Sequence, residues 1–373
     1  MTVLKTNVPR VALSHHWLVS MRGGEKVLEQ FCRLFPDADI HTLVCDRPEI
    51  SELIRRHRIH TSILQSIPGG LRGYKQLLAL HPWAIRRMRI DPQTQLLLCS
   101  DASLIKGIPV PNGCKLVCYC HSPPRYLWDI QDQYIGNGSR SVLHKAAFAM
   151  LTPYCQRFDR KAASRVDLFI ANSQFVADRI RRHYGRSAEV VNPPVSVEQF
   201  APDRPRKDFY LVVSELTPYK RIDIAVEAFL QNGRKLVVIG DGPCRRRLSE
   251  RCPGNIKFLG RQPFSVVKEH FETCRGFIFP GIEDFGIAPL EAQASGAPVL
   301  AFQEGGALET VIPGKTGEFF GQQTAESLNE SLLRLDDLAG PDTVRRCRAN
   351  ADTYSPEIFI TKICRILESL FDH

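Results

Sequence analysis

Short, almost entirely apolar segments recur through the second half of the sequence, and helical patterns separate them. Predicted strands are 209–216, 235–240, 256–260, 276–280 and 298–302, and predicted helices are 222–232, 244–252, 264–274, 287–296 and 305–312. Short strands that are apolar on both faces form parallel sheets covered by helices. The second half therefore predicts a doubly wound α/β domain, in which ligands bind beyond the carboxyl ends of the strands.

The first half has the same rhythm with longer connections. Its predicted strands are 10–14, 39–45, 59–64, 95–100, 115–120, 167–172 and 188–192, and its clearest helices are 140–165 and 174–183. A length of 373 residues favours two domains. The proline-rich stretch 190–205 is the best linker, because proline disfavours both helix and sheet. We therefore predict Rossmann-like domains at 1–195 and 196–373, with a last helix at about 355–371 that can pack back on either domain, including the N-terminal one.

The composition, with 43% hydrophobic and 24% charged residues, is that of a globular protein. No apolar run has the length of a transmembrane helix, and the N-terminus lacks a signal-peptide core, so a cytoplasmic location is expected. The twelve cysteines are scattered and are expected to be reduced and buried. A metal site at Cys118, Cys120 and His121 is disfavoured, because neighbouring residues of a strand point to opposite faces.

The net charge of +9 is concentrated in the first half. Residues 1–200 carry +11, whereas residues 201–373 carry −2. Such an asymmetry suggests an acidic partner, either nucleic acid or an anionic membrane surface. No aromatic-basic motif or recognition-helix pattern supports nucleic acid.

Three loops that follow predicted strands could contact an anion. Gly23 and Gly24 precede an amphipathic helix, where backbone amides and the helix dipole favour negative charge, although a flexible turn explains the pair equally simply. Lys220 and Arg221 stand at a helix start, where cations oppose the dipole unless they face a bound diphosphate; a solvated surface is the alternative. The tight turn at Gly240 permits close approach to the backbone.

The segment PGIEDFGIAPLEA, 280–292, places two carboxylates on a loop and the helix that follows it. Glu283 belongs to the loop, and Glu291 lies on the helix that begins near Ile287. Carboxylates accept hydrogen bonds from vicinal hydroxyls, which makes sugars natural ligands for both residues. A helix-capping acid beside a surface glutamate is the simpler alternative.

Together these motifs carry a family resemblance over nearly the whole chain. The second half resembles the donor domain of retaining glycosyltransferases of family 4, which have the GT-B architecture of two Rossmann-like domains facing across a cleft. The matching stretches are TPYKRIDIAVEAF, GDGP, NIKFLG, EDFGIAPLEAQASGAPVLAF and GGALETVIPGKTGEFF, and in the first half MRGGEKVLE, CHSPPRYLWD, ANSQFVADRI and NPPVSVEQF. The arrangement is most similar to bacterial mannosyltransferase-like members that build surface polysaccharides.

The resemblance implies a role for each motif residue in donor binding. Glu291 would bind the ribose hydroxyls, and Glu283 would lie by the transferred sugar. Backbone amides around Phe285, Gly286 and Ile287 would hold hexose hydroxyls and phosphate. The donor diphosphate would be neutralised by Lys220, with Arg221 as a possible second cation, and approached by the Gly23–Gly24 loop. Base recognition would use the backbone near Gly240.

His121, at the tip of a strand in the first domain, would hydrogen-bond the sugar, and we group it with Lys220 and Glu283 as the catalytic residues. Arg125, Trp128 and Asp129 follow in the same loop and would shape the acceptor pocket. One position departs from the family, in which an arginine commonly stands where this chain has Glu215. The diphosphate contacts therefore depend on Lys220, on another cation such as Arg221, or on amides.

The resemblance also implies a reaction: retaining hexosyl transfer, without a metal or cofactor, from a nucleotide-sugar, with GDP-mannose favoured. A lipid-linked or saccharide acceptor would be used in surface polysaccharide synthesis. The segments 55–58 and 71–90 combine basic and apolar residues in the manner of an interfacial helix, so peripheral contact with the inner face of the plasma membrane is expected; a core-packed helix is the alternative. Other open readings are a UDP-sugar donor, donor hydrolysis or epimerisation, and an inactive sugar-nucleotide-binding protein.

Overall fold

A computed structural model describes residues 10–129, 142–250, 252 and 254–371, with the backbone alone at 142–148. The first two residues of the predicted helix 140–165 therefore lie outside the described residues. The chain divides into two compact units. The first unit comprises Met1–Pro193 and Phe359–His373, and the second comprises Pro194–Ile358.

A seven-stranded, wholly parallel sheet forms the core of the first unit, in the order β3-β2-β1-β4-β5-β6-β7. Every strand predicted for the first half is present, with ends that differ by a few residues. The strands are β1 Val11–His15, β2 Asp39–Thr42, β3 Ile59–Thr61, β4 Leu96–Asp101, β5 Lys115–Cys120, β6 Leu168–Ala171 and β7 Glu189–Val190.

Helices pack on both faces of this sheet, and apolar residues on one side of each helix explain the packing. Leu28 and Phe31 of the first helix are fully buried. The helices are α1 Gly23–Leu34, α2 Glu52–Arg55, α3 Gly70–Gly73, α4 His81–Arg87, α5 Arg125–Trp128, α6 Val142–Ala163 and α7 Gln174–Tyr184.

The prediction of one interfacial helix at 71–90 is wrong. The segment contains the end of α3, a 3₁₀ turn at Leu78–Leu80 and the separate helix α4. Its residues Ala84, Ile85 and Met88 belong to the core of the first unit. The helical pattern is interrupted by the glycines at 69, 70 and 73 and by Pro82 in the first turn of α4, because neither residue type favours a helix interior.

A six-stranded parallel sheet forms the second unit, in the order β10-β9-β8-β11-β12-β13. Its strands are β8 Tyr210–Val213, β9 Leu236–Ile239, β10 Ile256–Gly260, β11 Gly276–Phe279, β12 Val299–Phe302 and β13 Gly317–Phe320. Its helices are α8 Ile222–Asn232, α9 Arg245–Ser249, α10 Phe264–Thr273, α11 Ile287–Ala294, α12 Ala307–Thr310, α13 Ala325–Asp337 and α14 Pro341–Asp352. Strand β13 and helices α13 and α14 were not predicted.

Both sheets have the strand order of a doubly wound fold, which confirms the predicted class. In the first sheet the order reverses between β1 and β4, and in the second between β8 and β11. Loops diverge to opposite faces of the sheet at such a reversal, so the crevice beyond these strand ends is where ligands bind. The structure therefore marks one switch point in each unit.

The last helix, α15 Pro356–Phe371, belongs to the first unit from Phe359 onwards. Phe359, Ile363 and Leu367 lie in a core cluster with Phe31 and Tyr119. None of the described helices is long and apolar enough to cross a bilayer. All twelve cysteines are unpaired, and eleven of them are buried, as the sequence predicted.

Candidate active site

The switch point of the second unit holds a lysine and a glutamate from two neighbouring strand tips. Lys220 ends the 3₁₀ turn that follows β8, and Glu283 lies in the loop after β11. Their side chains form an ion pair, and each is only about one-sixth exposed, at 16% and 17%. They line a small cleft together with Val212, Val213, Ser214, Ile222, Ile278, Phe279, Pro280 and Gly281.

Glycines allow the loops around this pair to approach closely. A Cβ atom on Gly281 would lie 2.7 Å from the carbonyl oxygen of Lys220, so only glycine fits there. The backbone N–H of Gly306 donates to the carbonyl oxygen of Glu283 at 2.9 Å. Gly305 has a φ of 76°, and a Cβ atom there would lie 2.6 Å from the same oxygen. The Gly305–Gly306 turn therefore fixes the backbone that carries Glu283.

The rest of the glutamate motif is arranged as the sequence predicted. Gly286 has a φ of 89° and directly precedes α11, which carries Glu291 in a partly exposed position. Ile287 is the first residue of this helix. The side chain of Phe285 is buried in the core, with its ring 5.8 Å from that of Tyr354. Phe285 therefore anchors the loop and offers only its backbone to a ligand.

Arg221 does not share the ion pair with Glu283, because its side chain is directed toward Gln323 and Asp223. Its backbone has a φ of 51°, and its Nη1 atom donates to Oε1 of Gln323 at 3.0 Å. Its Nε atom lies 3.3 Å from the carboxylate of Asp223. These contacts leave Lys220 as the cation directed into the cleft at this switch point, among the residues that the structure describes here.

The turn at Gly240 packs against the loop that follows β8. Gly240 has a φ of 138°, and a Cβ atom there would lie 1.8 Å from the carbonyl oxygen of Ser214. Its N–H donates to the carbonyl oxygen of Gly260 at 2.9 Å. Glu215, which stands where the family commonly has an arginine, is exposed next to this turn.

The switch point of the first unit is built from histidines and a serine. His121 follows β5, and its Nε2 atom lies 2.8 Å from Oγ of Ser100 at the end of β4. Ser100 Oγ is in turn 3.0 Å from Nδ1 of His15, the last residue of β1. A Cβ atom on Gly24 would lie 3.3 Å from Cε1 of His15 and 3.5 Å from Nε2 of His121. The structure thus brings His121 beside the Gly23–Gly24 start of α1.

The imidazoles of His121 and His16 are neutral near pH 7. Burial, followed by the charge of His15, lowers the pKa of His121 to about 3. The same two causes lower the pKa of His16 to about 3. Burial opposes ionisation of Glu25, but its hydrogen-bonding and charge interactions with His15 outweigh burial and hold its pKa at about 2. Glu25 is therefore an anion and His121 a neutral hydrogen-bonding group.

Two of the predicted acceptor residues already have partners inside the first unit. The Trp128 indole N–H donates to Oδ2 of Asp159 at 2.8 Å, and its ring stacks on His183 at 5.0 Å. Asp129 forms an ion pair with Arg179, and its Oδ1 atom lies within hydrogen-bonding distance, 3.1 Å, of Nε2 of His183. These contacts hold α5 against α6 and α7. Arg125 begins α5 in a partly exposed position. An acceptor role for the three residues stays a prediction.

The sequence did not single out Ser100, His15 or the buried ion network beside them. Lys106 Nζ lies 3.1 Å from Asp101 Oδ2 and 2.5 Å from Asp159 Oδ1, with all three side chains almost fully buried. A polar pair, Ser100–Asp101, at the end of an otherwise apolar strand was the available signal.

One group of possible metal ligands exists among the described residues. Single atoms of Cys99, Asp101 and Cys118 lie within 4.8 Å of one another. Lys106 already supplies a cation to Asp101, and burial raises the pKa of the Cys118 thiol, which disfavours the thiolate that a metal needs. The group does not fit a metal.

Two family models together match most of the chain. The model described as Glycosyltransferase Family 4 matches residues 21–199, and the model described as Glycosyl transferases group 1 matches residues 197–353. The first covers the histidine switch point and the second covers Lys220, Glu283 and Glu291.

Similar curated proteins include mannosyltransferases and glycogen synthases. A GDP-mannose-dependent monoacylated alpha-(1-6)-phosphatidylinositol monomannoside mannosyltransferase of Corynebacterium glutamicum is 30% identical over 265 residues, which are 61% of this chain and 68% of the relative. A GDP-mannose-dependent alpha-(1-6)-phosphatidylinositol monomannoside mannosyltransferase of Mycolicibacterium smegmatis is 29% identical over 206 residues, 47% of this chain and 54% of the relative. The chain thus spans about two thirds of one relative and about half of the other.

Solved structures show the same fold. Anabaena HepE in complex with UDP and glucose superposes with a TM-score of 0.69 at 17% identity, over 96% of this chain and all of that one. Sucrose-phosphate synthase from Thermosynechococcus elongatus gives 0.68 at 16% identity, over 97% and 99%. The two units are those of a GT-B glycosyltransferase, and the chain belongs to glycosyltransferase family 4.

Proposed function

We propose that this glycosyltransferase transfers mannose from GDP-mannose, with retention and without a metal, to a lipid-linked or saccharide acceptor in surface polysaccharide synthesis. The ion pair of Lys220 and Glu283 at the second switch point is the observation that carries the proposal, because it is a cation beside the strand ends at which ligands of doubly wound folds bind. The choice of donor is supported by the C. glutamicum relative, whose name specifies GDP-mannose.

In the proposed donor complex, Lys220 neutralises the diphosphate while Glu283 binds a sugar hydroxyl and Glu291 binds the ribose. The amides that begin α11 after Gly286 add the favourable field of a helix N-terminus. Glu283 also positions Lys220, because their side chains form an ion pair. The donor therefore meets an arranged cation, which limits the reorganisation needed in the transition state.

The proposed chemistry follows from how charge moves. As the nucleoside diphosphate departs, negative charge grows on phosphate and positive character on the sugar. Lys220 stabilises the negative charge on the phosphate, as a divalent metal does in other transferases. The leaving phosphate takes the acceptor proton, which is consistent with retention. His121, neutral at pH 7, hydrogen-bonds a sugar hydroxyl rather than adding a charge beside the developing cation.

A basic and apolar surface of the first unit supports a lipid-linked acceptor. Trp83, Leu80 and Met150 are 37%, 40% and 81% exposed. The guanidinium of Arg87 lies 4.2 Å from the centre of the Trp83 ring, and that of Arg86 lies 5.2 Å from the Phe158 ring on α6. Exposed aromatic and aliphatic residues beside arginines are typical of surfaces that contact anionic lipid. Co-sedimentation with vesicles that does not depend on anionic lipid would count against this contact.

A transfer assay tests the proposal. The purified protein is incubated with GDP-mannose, UDP-glucose or ADP-glucose, with and without membrane lipid extract, and products are read by mass spectrometry. Mannose transfer that requires the extract is expected, together with a thermal shift from GDP but not from UDP or ADP. Transfer from UDP-glucose alone would support the alternative donor, and donor breakdown without an acceptor would support a hydrolase.

The inactive alternative is motivated by Glu215 and has its own test. Should the wild type turn over no donor while Glu215→Arg does, the protein binds sugar nucleotides without catalysis. EDTA tests metal independence in the same assay, because the proposal expects turnover to be unchanged by the chelator.

A further inference from the structure

A chain of four polar groups runs from α1 to the proposed sugar-binding histidine. Glu25 Oε1 lies 3.8 Å from Nε2 of His15. His15 Nδ1 lies 3.0 Å from Ser100 Oγ, and Ser100 Oγ lies 2.8 Å from Nε2 of His121. His15 and Ser100 have no exposed surface, and Glu25 is 4% exposed. Neither the family models nor the resemblance assigns a role to Glu25, His15 or Ser100.

The last member of the chain is held firmly. The backbone N–H of His121 donates to the carbonyl oxygen of Asp101 at 2.8 Å, and its carbonyl oxygen accepts from Nδ2 of Asn172 at 2.9 Å. With Nε2 engaged by Ser100, Nδ1 is the ring nitrogen that remains, and no described residue hydrogen-bonds to it. A sugar hydroxyl would therefore meet Nδ1, and the protonation state of Nδ1 decides which partner donates.

The serine hydroxyl links the two rings, because it has one proton to donate. If it donates to His15, it must accept from an N–H of His121; if it donates to His121, it must accept from His15. Both arrangements satisfy the same distances. The direction is therefore set by whichever end of the chain has a fixed charge.

Glu25 supplies that charge. Its carboxylate is ionised and buried 3.8 Å from His15 Nε2, which no described residue hydrogen-bonds. In a buried setting an anion at this distance attracts an N–H and repels a nitrogen lone pair. Of the other groups nearby, Asp101 is paired with Lys106, and the adjacent His16 ring is neutral. A neutral His15 therefore carries its proton on Nε2 and accepts from Ser100 at Nδ1.

We propose that Glu25, His15 and Ser100 are positioning residues that fix His121 as its Nε2–H tautomer, so that Nδ1 accepts a hydrogen bond from a donor-sugar hydroxyl. The tautomer is a property of the first unit alone, and only its use toward a sugar rests on the proposed function. A consequence is selectivity: a sugar with a hydroxyl at that position is bound, whereas its deoxy analogue leaves Nδ1 unpaired and is transferred more slowly.

The tautomers can be read directly by nitrogen-15 NMR of the histidine-labelled protein. Spectra are recorded at about pH 8, well above the ordinary histidine pKa of about 6.5. Signals of His121 are assigned by their loss in His121→Gln. The proposal expects both His15 and His121 to carry their proton on Nε2 in the wild type. A proton on Nδ1 of either ring would overturn it, whether or not any variant folds.

Variants then test what sets the tautomer. Glu25→Gln removes the charge but keeps a side-chain oxygen. That oxygen can still accept the hydrogen bond that the Arg22 backbone N–H donates to Glu25 at 3.0 Å at the start of α1. Glu29→Gln is the matched control, since Glu29 lies on the same helix and makes no contact with His15. The Nδ1–H form of His121 is expected to appear in Glu25→Gln and Ser100→Ala but not in Glu29→Gln. If His121 carries its proton only on Nε2 in both Glu25→Gln and Ser100→Ala, the intrinsic preference of the imidazole is enough to set the tautomer, and the proposal is overturned.

Kinetics separate this inference from the proposed function. Glu25→Gln and Ser100→Ala are expected to lower turnover about tenfold, the loss of roughly one hydrogen bond, with donor KM changed less than twofold. If the His121 tautomer shifts as expected in the variants but the protein turns over no donor, the proposed function is wrong and the positioning role of Glu25, His15 and Ser100 is supported. If donors are turned over and the tautomer does not shift, only the positioning role is wrong.

Discussion

The two switch points share a topology and differ in their chemistry. Each lies where a parallel sheet reverses its strand order, between β1 and β4 in the first unit and between β8 and β11 in the second. The first is a chain of polar groups that begins at the ionised Glu25 and ends in the neutral His121. The second is a partly exposed ion pair of Lys220 and Glu283, framed by glycine-containing turns. The same fold thus prepares a neutral hydrogen-bonding site in one unit and a charged site in the other.

The charge at each switch point determines which part of a donor that unit can stabilise. A neutral imidazole whose pKa is about 3 adds no charge, so it suits a sugar on which positive character develops. A lysine suits a diphosphate on which negative charge develops. If this division is right, variants at the two switch points must separate catalysis from nucleotide binding.

Lys220→Ala removes the cation of the second switch point and is expected to lower activity more than any other variant considered. Loss of the cation should lower kcat/KM by about 10²–10³-fold, the usual cost of removing one preorganised stabilising group. Lys235→Ala is the matched control, because Lys235 is an exposed lysine of the same unit paired with Asp208. Steady-state kinetics with the accepted donor decide the matter. Equal rates in the two variants would remove Lys220 from the mechanism.

His121→Ala is expected to affect turnover with little effect on nucleotide binding. The neutral site contributes a hydrogen bond to the sugar, so kcat should fall about thirtyfold while the Kd of the nucleoside diphosphate stays within twofold. Rapid-quench kinetics and calorimetry on the same preparation measure both quantities. A matching loss of diphosphate affinity would contradict the division of roles.

Acid should destabilise the first unit through its histidines. The pKa of His16 is lowered to about 3 in the folded protein, so the unfolded chain binds more protons between that value and about 6.5, and stability falls as pH decreases through this window. The expected contribution at pH 5 is about 2 kcal/mol of unfolding free energy. Urea titrations at pH 7 and pH 5 measure it. His16→Asn should show a smaller pH dependence, and an unchanged one would refute the assignment.

Glu291→Ala should produce the smallest of these effects, and it tests whether Glu291 binds the nucleotide without taking part in the chemistry. Loss of a carboxylate that binds ribose hydroxyls is expected to weaken nucleotide binding about tenfold, with turnover at saturating donor unchanged. Glu330→Ala serves as a control, because Glu330 is an exposed glutamate on α13 of the same unit. The signature of the ribose contact is a raised donor KM at constant kcat, and a fall in kcat instead would assign Glu291 to the chemistry.

Much of the fold followed from the sequence, because apolar strands in a parallel sheet leave a strong pattern. All strands of the first half and five of the second were predicted. Strand β13, Gly317–Phe320, was missed because GEFF is short and begins with glycine, a residue that weakens strands. Helix α14, PDTVRRCRANAD, was missed because its few buried residues, Thr343, Cys347 and Ala351, form a weak apolar stripe.

The site was predicted unevenly, for a physical reason. Glu283 and Glu291 lie eight positions apart in one strand–loop–helix unit, so local pattern was enough to place them. His15, Ser100 and His121 meet only because β1, β4 and β5 are neighbours in the sheet. Ser100 is 85 positions from His15, and sequence spacing does not reveal strand order. Contacts across a sheet of this kind require the structure.

We propose that Lys220 binds the diphosphate of the donor through its charge and that His121 binds the donor sugar through a neutral hydrogen bond. Calorimetric titration of GDP and of GDP-mannose into the wild type, Lys220→Ala and His121→Ala tests this division. Lys220→Ala is expected to weaken the binding of both ligands alike, whereas His121→Ala is expected to leave GDP binding unchanged and to weaken only GDP-mannose binding. If His121→Ala weakens GDP as much as Lys220→Ala does, or Lys220→Ala binds GDP as the wild type does, the division of the donor is contradicted.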